Sequence, residues 1–163
     1  MVLFSKTTKR YGVDPPTTEG LLFSESKLPP ALIQAYRETD YRVLAEPPFV
    51  LTLGIASPEL IWLYQVHKVA CAAFITAFNP FSRELVLDEN RRRRAGLAKE
   101  LTRRSLDFVE GVGQHPSGDW PGEPSFLVLG LALEAAKSLG ITYDQNAIIW
   151  CGADCVPDLI LLK

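Results

Sequence analysis

Long apolar runs are absent from this chain of 163 residues, and their absence limits where the protein can act. No run approaches the ~20 apolar residues that a membrane-spanning helix needs, so we expect no membrane association. Residues 1–6 also lack the basic and apolar regions that open a secretory signal. We therefore expect a cytoplasmic protein.

Cysteine and histidine are scarce, which narrows the chemistry that the chain can perform. The odd set of Cys71, Cys151 and Cys155 indicates reduced thiols rather than a disulfide framework. Cys151 and Cys155 form at most half of a structural zinc site, so we predict no metal, and no pattern identifies a cofactor. His67 has the position of a packed helix residue. His115, in a loop rich in Pro and Gly, is the candidate base that would titrate near pH 7.

A large excess of charge of one sign is also absent. The formal net charge is −2, which argues against general electrostatic binding of nucleic acid. Locally, residues 91–104 hold six Arg and one Lys against one Glu, a charge of +6. Arg91 and Arg94 are three residues apart on one helix face, so we predict that they bind a small anionic ligand together. The alternative is that the arginines form a solvated helix face.

The pattern of apolar residues divides the chain near residue 28. Residues 1–28 are polar and have no sustained period, which predicts a partly ordered N-terminal arm. Residues 29–163 alternate between helix-like and strand-like stretches and are predicted to form a single α/β domain. The nearly continuous apolar run at 69–78 is typical of a central strand covered on both faces. We predict an α/β (α+β) sandwich with a mixed, largely central sheet flanked by about four helices.

Polar side chains stand at the ends of apolar, strand-like stretches, where a buried strand does not need them. The set comprises Asn79, Ser82, Glu123, Ser125 and Gln145, and Asn90 lies in the first turn of the helix predicted to follow Ser82. Open α/β sheets bind ligands at strand ends, and an Asn amide can both donate and accept hydrogen bonds. We therefore expect Asn79, Glu123 and Gln145 to lie close together in one ligand site. The structural alternative is that these side chains shape turns, with Asn90 bracing the loop of Asn79.

Four short motifs in this order carry a family resemblance. They are Ile-Thr-Ala-x-Asn-Pro-x-Ser at 75–82, Glu-Asn at 89–90, Trp-x-x-Glu-x-Ser at 120–125 and Gln-Asn-Ala at 145–147. The combination resembles a bacterial domain-of-unknown-function family of small cytosolic proteins. The similarity extends over roughly residues 36–162 and implies no agreed activity, substrate or cofactor. The role of the four consecutive arginines is not addressed by the resemblance.

Two functions are consistent with these patterns. The first is binding of a small anionic or nucleotide-like ligand at the strand ends by the eight residues Asn79, Ser82, Asn90, Arg91, Arg94, Glu123, Ser125 and Gln145. The second is a non-enzymatic protein-interaction or regulatory module, with a protein partner, in which the same residues only fix loops. Glu123 and Ser125 have no His or Lys placed by sequence to complete a catalytic relay, so the sequence does not decide whether the protein is an enzyme.

Overall fold

The computed structural model describes residues 26–163, which form a seven-stranded sheet with helices on both faces. Most of the arm predicted at 1–28 lies outside the described residues. The helices are α1 (Pro30–Glu38), α2 (Pro58–His67), α3 (Leu87–Arg103) and α4 (Leu133–Thr142). The strands are β1 (Asp40–Val43), β2 (Phe49–Leu51), β3 (Ala72–Thr76), β4 (Phe108–Gln114), β5 (Glu123–Leu129), β6 (Ala147–Cys151) and β7 (Pro157–Leu161). A short 3₁₀ turn, Pro80–Ser82, follows β3.

The sheet order is β2-β1-β4-β5-β3-β6-β7, and every neighbouring pair is antiparallel. The predicted class, the single domain and the four helices are confirmed, but the prediction of a mixed sheet is wrong. Strands β3 and β4 run parallel to each other and are joined by α3, yet β5 lies between them. In the same way, β5 and β6 run parallel to each other and are joined by α4, and β3 lies between them. The helical crossovers led to the mixed-sheet prediction, and sequence periodicity carries no information on which strand is inserted.

Strand β3 lies inside the sheet and is covered on both faces, as its apolar sequence predicts. Phe74 packs in a core cluster with Leu60 and Leu63 of α2. Ile75 points the other way, because successive strand residues alternate, and packs in a second cluster with Leu97 of α3 and Leu139 of α4. The molecule is therefore a three-layer sandwich with two separate cores.

Helix α2 begins where its sequence predicts. Ser57 precedes it, and the Ser57 hydroxyl accepts a hydrogen bond from the Leu60 amide at 3.2 Å. Pro58 occupies the first helical position, and Glu59 lies in the first turn, where a negative charge is favourable. Of the helices described, none is both long and apolar enough to cross a bilayer.

Helix α1 packs less closely than the other helices. It has no buried residue, whereas each of the other three has at least three. The Tyr41 hydroxyl donates to the Tyr36 carbonyl at 2.6 Å, which ties the helix to the sheet. The space left between α1 and the sheet forms the cavity described next.

Candidate functional site

A cavity of about 660 Å³ lies between α1 and the sheet face that α2 also covers. Its volume falls within the usual range for small-molecule sites. The apolar part of its lining includes Leu32, Ala35, Tyr41, Phe74, Ile149 and Leu159. The polar part includes Tyr36, Thr76, Asn79, Ser82, Glu123, Ser125 and Gln145. The cavity therefore offers both apolar surface and hydrogen-bonding groups to a ligand.

The pairing of β3 with β5 separates the apolar and polar parts of this lining. Phe74 pairs with Leu127, and Thr76, two residues further along, pairs with Ser125. Residues two apart share a face, so the floor changes from apolar to polar toward one edge of the sheet. Glu123 continues this face of β5 beyond Ser125. The polar end of the cavity is thus the edge at which β3 ends and β5 begins.

The side chain of Asn79 connects the elements at this edge. Its Oδ1 accepts from the Leu85 amide at 3.1 Å and from Asn90 Nδ2 at 2.7 Å, and its Nδ2 donates to Glu123 Oε1 at 2.7 Å. Because a backbone N–H can only donate, the amide atom facing Leu85 must be the oxygen. The amide nitrogen of Asn79 is therefore directed at the carboxyl of Glu123.

Asn90 braces the loop of Asn79, in agreement with the structural alternative given above. Its Oδ1 accepts from the Asn79 backbone amide at 2.8 Å, and its Nδ2 donates to Asn79 Oδ1. Asn79 has a positive φ of 47°, a left-handed conformation that Asn tolerates better than most residues. Asn90 itself is buried and does not line the cavity.

Glu123 is the ionisable side chain that hydrogen-bonds directly to Asn79. Burial raises the pKa of its carboxyl, and the hydrogen bond from Asn79 opposes that rise with a smaller effect. Within residues 26–163, neither a salt bridge nor a hydrogen-bond donor reaches Oε2. Although Oε2 has no partner, it is not fully shielded from solvent. Among the side chains of residues 26–163 that are not exposed, Arg94 Nε is the one polar atom that is both fully shielded and without a partner. Oε2 is thus open to a donor from a ligand.

A second polar group lies beside the 3₁₀ turn. The Tyr36 and Ser82 hydroxyls are 2.6 Å apart, and Asn146 Nδ2 donates to both at 3.3 Å. Gln145 donates through Nε2 to the carbonyls of Phe78 and Tyr143, each at 3.1 Å. Gln145 therefore holds two chain segments together at the cavity wall, while Ser82 connects this wall to α1.

The structure brings Asn79, Ser82, Glu123, Ser125 and Gln145 to one cavity, with Asn90 directly behind them. The predicted site residues do not include Tyr36 and Asn146, which form a polar group with Ser82 beside the cavity. The spacing of Leu32, Ala35 and Tyr36 on one face of α1 was a usable signal for the cavity roof. Asn146 belongs to the Gln-Asn-Ala motif at 145–147, but nothing in the sequence indicates its contact with Tyr36 of α1.

Arg91 and Arg94 do not line the cavity. Helix α3 packs on the opposite face of the sheet, where the guanidinium of Arg94 lies 4.8 Å from the ring centre of Phe126 and donates to Glu110 at 2.6 Å. Arg91 is exposed, 3.6 Å from Asp88. Helix geometry explains why these arginines do not share the position of Asn90 behind the cavity. Arg91 is rotated by ~100° around the helix axis from Asn90, and Arg94 lies ~6 Å further along the axis. Arg91 and Arg94 therefore lie apart from the cavity, and anion binding by this pair stays a prediction.

Arg93, which the sequence did not single out, is the arginine that holds the strand ends together. Its Nε donates to the Ala77 carbonyl at 2.9 Å, and its guanidinium also donates to the Tyr143 carbonyl. A carboxylate oxygen of Asp144 lies 3.5 Å away. The contacts join the end of β3 to the end of α4, so Arg93 supports the backbone on which Asn79 and Gln145 stand.

His115 lies at the rim of the cavity, in the loop between β4 and β5. Its Nε2 is 3.2 Å from Glu38 Oε2 at the end of α1, and its Nδ1 is 2.8 Å from the Ser117 hydroxyl. The pair with Glu38 joins the loop to the cavity roof. His67 lies elsewhere, 2.9 Å from Asp107.

Within residues 26–163, no group of three or more His, Cys, Asp or Glu side chains is placed to hold a metal ion. All three cysteines are free.

The fold and the site together define a single-domain α+β protein with a ligand-sized cavity under its first helix. A family model described as "Protein of unknown function (DUF3293)" matches residues 75–148. This match confirms the resemblance to a domain-of-unknown-function family. The matched segment contains Asn79, Asn90, Glu123 and Gln145, and so includes most of the polar network. No curated protein and no solved structure matches the chain.

Proposed function

We propose that the cavity binds a small organic molecule with an apolar body and a polar end group. The observation that carries this proposal is the division of one ligand-sized cavity into an apolar floor and a polar end. The body of such a molecule would lie against Phe74 and Ile149. Its polar end would meet Glu123, whose orientation is fixed by Asn79.

The charged residues of the cavity lining favour a ligand whose polar end group is not an anion, in contrast to the anionic ligand that the sequence predicts. Among the described residues that line the cavity there is neither Lys nor Arg. The ionisable groups there, apart from two tyrosines, are Glu123, Asp119 and His115. An anionic group placed at the polar end would face Glu123, and like charges repel. A nucleotide-like ligand would therefore have to keep its phosphate outside this end of the cavity.

Filling the cavity tests the proposal directly. Ala35 lines the cavity from α1, so Ala35→Trp places a large side chain in it, and α1 has no buried residue whose packing would be disturbed. Arg37 is exposed on the same helix, which makes Arg37→Trp the matched control. The probe is N-phenyl-1-naphthylamine, an uncharged dye whose fluorescence rises in apolar surroundings.

The parent protein and Arg37→Trp should bind the dye saturably with equal affinity. Ala35→Trp should weaken binding about tenfold or more, equivalent to at least about 1.4 kcal/mol. An absence of saturable binding to the parent would overturn the proposal, as would equal binding by the two Trp variants.

The alternative function, a protein-interaction module, is supported by the outer surface of α2. Ile61, Trp62 and Val66 are 44%, 58% and 52% exposed. An apolar surface on an exposed helix is a common feature of interaction sites. Sedimentation velocity over a range of concentrations should show self-association that Trp62→Lys abolishes if copies of this chain meet there. A monomer at every concentration would remove self-association as the explanation of this surface.

We also infer a cytoplasmic location, supported by the three free thiols, of which Cys151 and Cys155 are buried. Fractionation of cells that express the tagged chain would test it. Recovery in a membrane or extracellular fraction would contradict it.

A further inference from the structure

We infer that the polar end group is a protonated amine, held by the carboxylate of Glu123 as its counter-ion. This inference rests on the proposed function, because it names the class of ligand that the same cavity takes. Its ligand class is an apolar primary amine with a body small enough to fill about 660 Å³.

The two carboxyl oxygens of Glu123 have different roles: Oε1 bonds to Asn79, and Oε2 is left for a ligand. Oε1 accepts a hydrogen bond from the amide nitrogen of Asn79 at 2.7 Å, which directs that oxygen toward Asn79. Oε2 has no donor within residues 26–163 and is not sealed. Hydrogen bonds between an ammonium and a carboxylate are roughly twice as strong as those between neutral groups. The open oxygen is thus a fixed acceptor that a cationic donor would satisfy best.

The hydroxyl groups beside Glu123 also present acceptors rather than donors. Ser125 donates its proton to the Glu123 carbonyl at 2.9 Å, and Thr76 donates to the Pro124 carbonyl at 2.9 Å. With its one proton committed to the backbone, the Ser125 hydroxyl can offer a ligand only lone pairs; the Thr76 hydroxyl also accepts from the Phe78 amide at 3.0 Å and has one lone pair left. Both side chains line the cavity, and they face each other across β3 and β5. An ammonium group, with three donors and no acceptor, matches this arrangement.

The charges around the cavity support the same conclusion. No basic side chain pairs with Glu123 in the part of the chain that the structure describes. His115 lies at the rim, where it faces Glu38 and Ser117 instead. A carboxylate without a partner in partly apolar surroundings is unfavourable, and a cation from the ligand would remove that penalty.

The arrangement makes amine binding dependent on pH. Burial raises the pKa of Glu123, so the empty site favours the protonated acid more than a free glutamate does. An ammonium ion requires the carboxylate, so binding to the protonated acid releases a proton, and amine affinity rises as pH rises through the pKa of Glu123. The other titratable groups that line the cavity are Tyr36, Tyr41, His115 and Asp119. The Glu123→Gln variant separates their contribution from that of Glu123.

Three probes with one apolar body test the inference by isothermal titration calorimetry on the full chain. They are 4-phenylbutylamine, 4-phenylbutanol and 4-phenylbutyrate, which end in a cation, a neutral hydroxyl and an anion. The parent protein should bind the amine at least tenfold tighter than the alcohol, and the butyrate most weakly. At a pH low enough for Glu123 to be protonated in the empty site, the measured enthalpy for the amine should differ between two buffers of unequal ionisation enthalpy, because the buffer takes up the released proton.

Glu123→Gln should abolish the preference for the amine and the dependence on buffer, while alcohol binding changes less than threefold. Glu110→Gln, which removes a carboxylate paired with Arg94 on the other side of the sheet, is the control and should keep the preference. Glu123→Asp retains the charge and should still prefer the amine. This variant keeps the inference testable if Glu123→Gln does not fold.

The failures of the two proposals can be told apart. Equal binding of amine and alcohol by the parent, or an unchanged preference in Glu123→Gln, would overturn the amine inference and leave the cavity proposal standing. Absence of binding by all three probes, together with absence of dye binding, would overturn both.

Discussion

Replacing Asn90 by Ala should destabilise the protein strongly, although Asn90 does not line the cavity. The change removes two hydrogen bonds to Asn79, at 2.8 and 2.7 Å, and a weaker one to the Leu85 carbonyl at 3.3 Å. Asn90 is only 4% exposed, so water does not readily replace it. Each lost bond contributes about 0.5–1.5 kcal/mol, and an amide left without a partner costs about 1–3 kcal/mol.

We therefore expect the free energy of unfolding to fall by about 2–4 kcal/mol for Asn90→Ala. In a chain of 163 residues this corresponds to a melting temperature lower by roughly 5–15 °C. Urea denaturation, followed by tryptophan fluorescence and by circular dichroism, measures the free energy and checks that both signals change together.

The control for this experiment is Arg91→Ala, at the next position of the same helix. Arg91 is exposed and meets only Asp88 at 3.6 Å, so its replacement should change the free energy of unfolding by less than about 0.5 kcal/mol. If Asn90→Ala were no more destabilising than Arg91→Ala, the amide network would not hold the loop of Asn79.

Three other substitutions test the network and the sheet. Burial raises the pKa of Glu123, so the stability it contributes is greatest at acid pH and is lost as pH rises through that pKa; the unfolding free energy of the parent relative to Glu123→Gln should therefore fall between pH 4 and pH 8 in urea titrations. Gly111→Ala should lower the free energy of unfolding by about 1–3 kcal/mol, because the added Cβ would lie 2.5 Å from the Phe74 ring. In the control, Gly113→Ala, the added Cβ has 3.7 Å to its nearest neighbour, so the loss in the same assay should be less than half as large. Arg93→Met should lower the melting temperature by several degrees, because the Ala77 carbonyl loses its side-chain donor and the Tyr143 carbonyl keeps only the bond from Gln145; a variant as stable as the parent would contradict that role.

The sequence predicts the fold where the signal is local. Ser57 and Pro58 mark the start of α2, and the apolar run at 69–78 marks a strand covered on both faces, because capping and burial leave a trace at each position. Strand order leaves no such trace. The insertion of β5 between β3 and β4 depends on which faces can be covered together, and this is decided by the packed chain as a whole.

The candidate site follows a similar division. Polar residues at strand ends are visible in the sequence, and five of them, among them Asn79 and Glu123, line one cavity. Nearness in sequence to Asn90 does not bring Arg91 and Arg94 to the cavity, because it does not fix which side of the sheet a helix covers. Arg93 could not be identified at all, since its partners are backbone carbonyls far along the chain.

The one-way hydrogen bonding of Asn79 makes the two oxygens of Glu123 chemically different before any ligand arrives. Since the Leu85 amide fixes the amide oxygen of Asn79, the nitrogen cannot turn away from Oε1. When Glu123 takes up a proton, that proton must reside on Oε2, because Oε1 already faces a donor. The same atom is then a donor at low pH and an acceptor at high pH. A ligand that contacts only Oε2 would therefore meet a hydrogen-bond donor at low pH and an acceptor at high pH, although the backbone around Glu123 does not change.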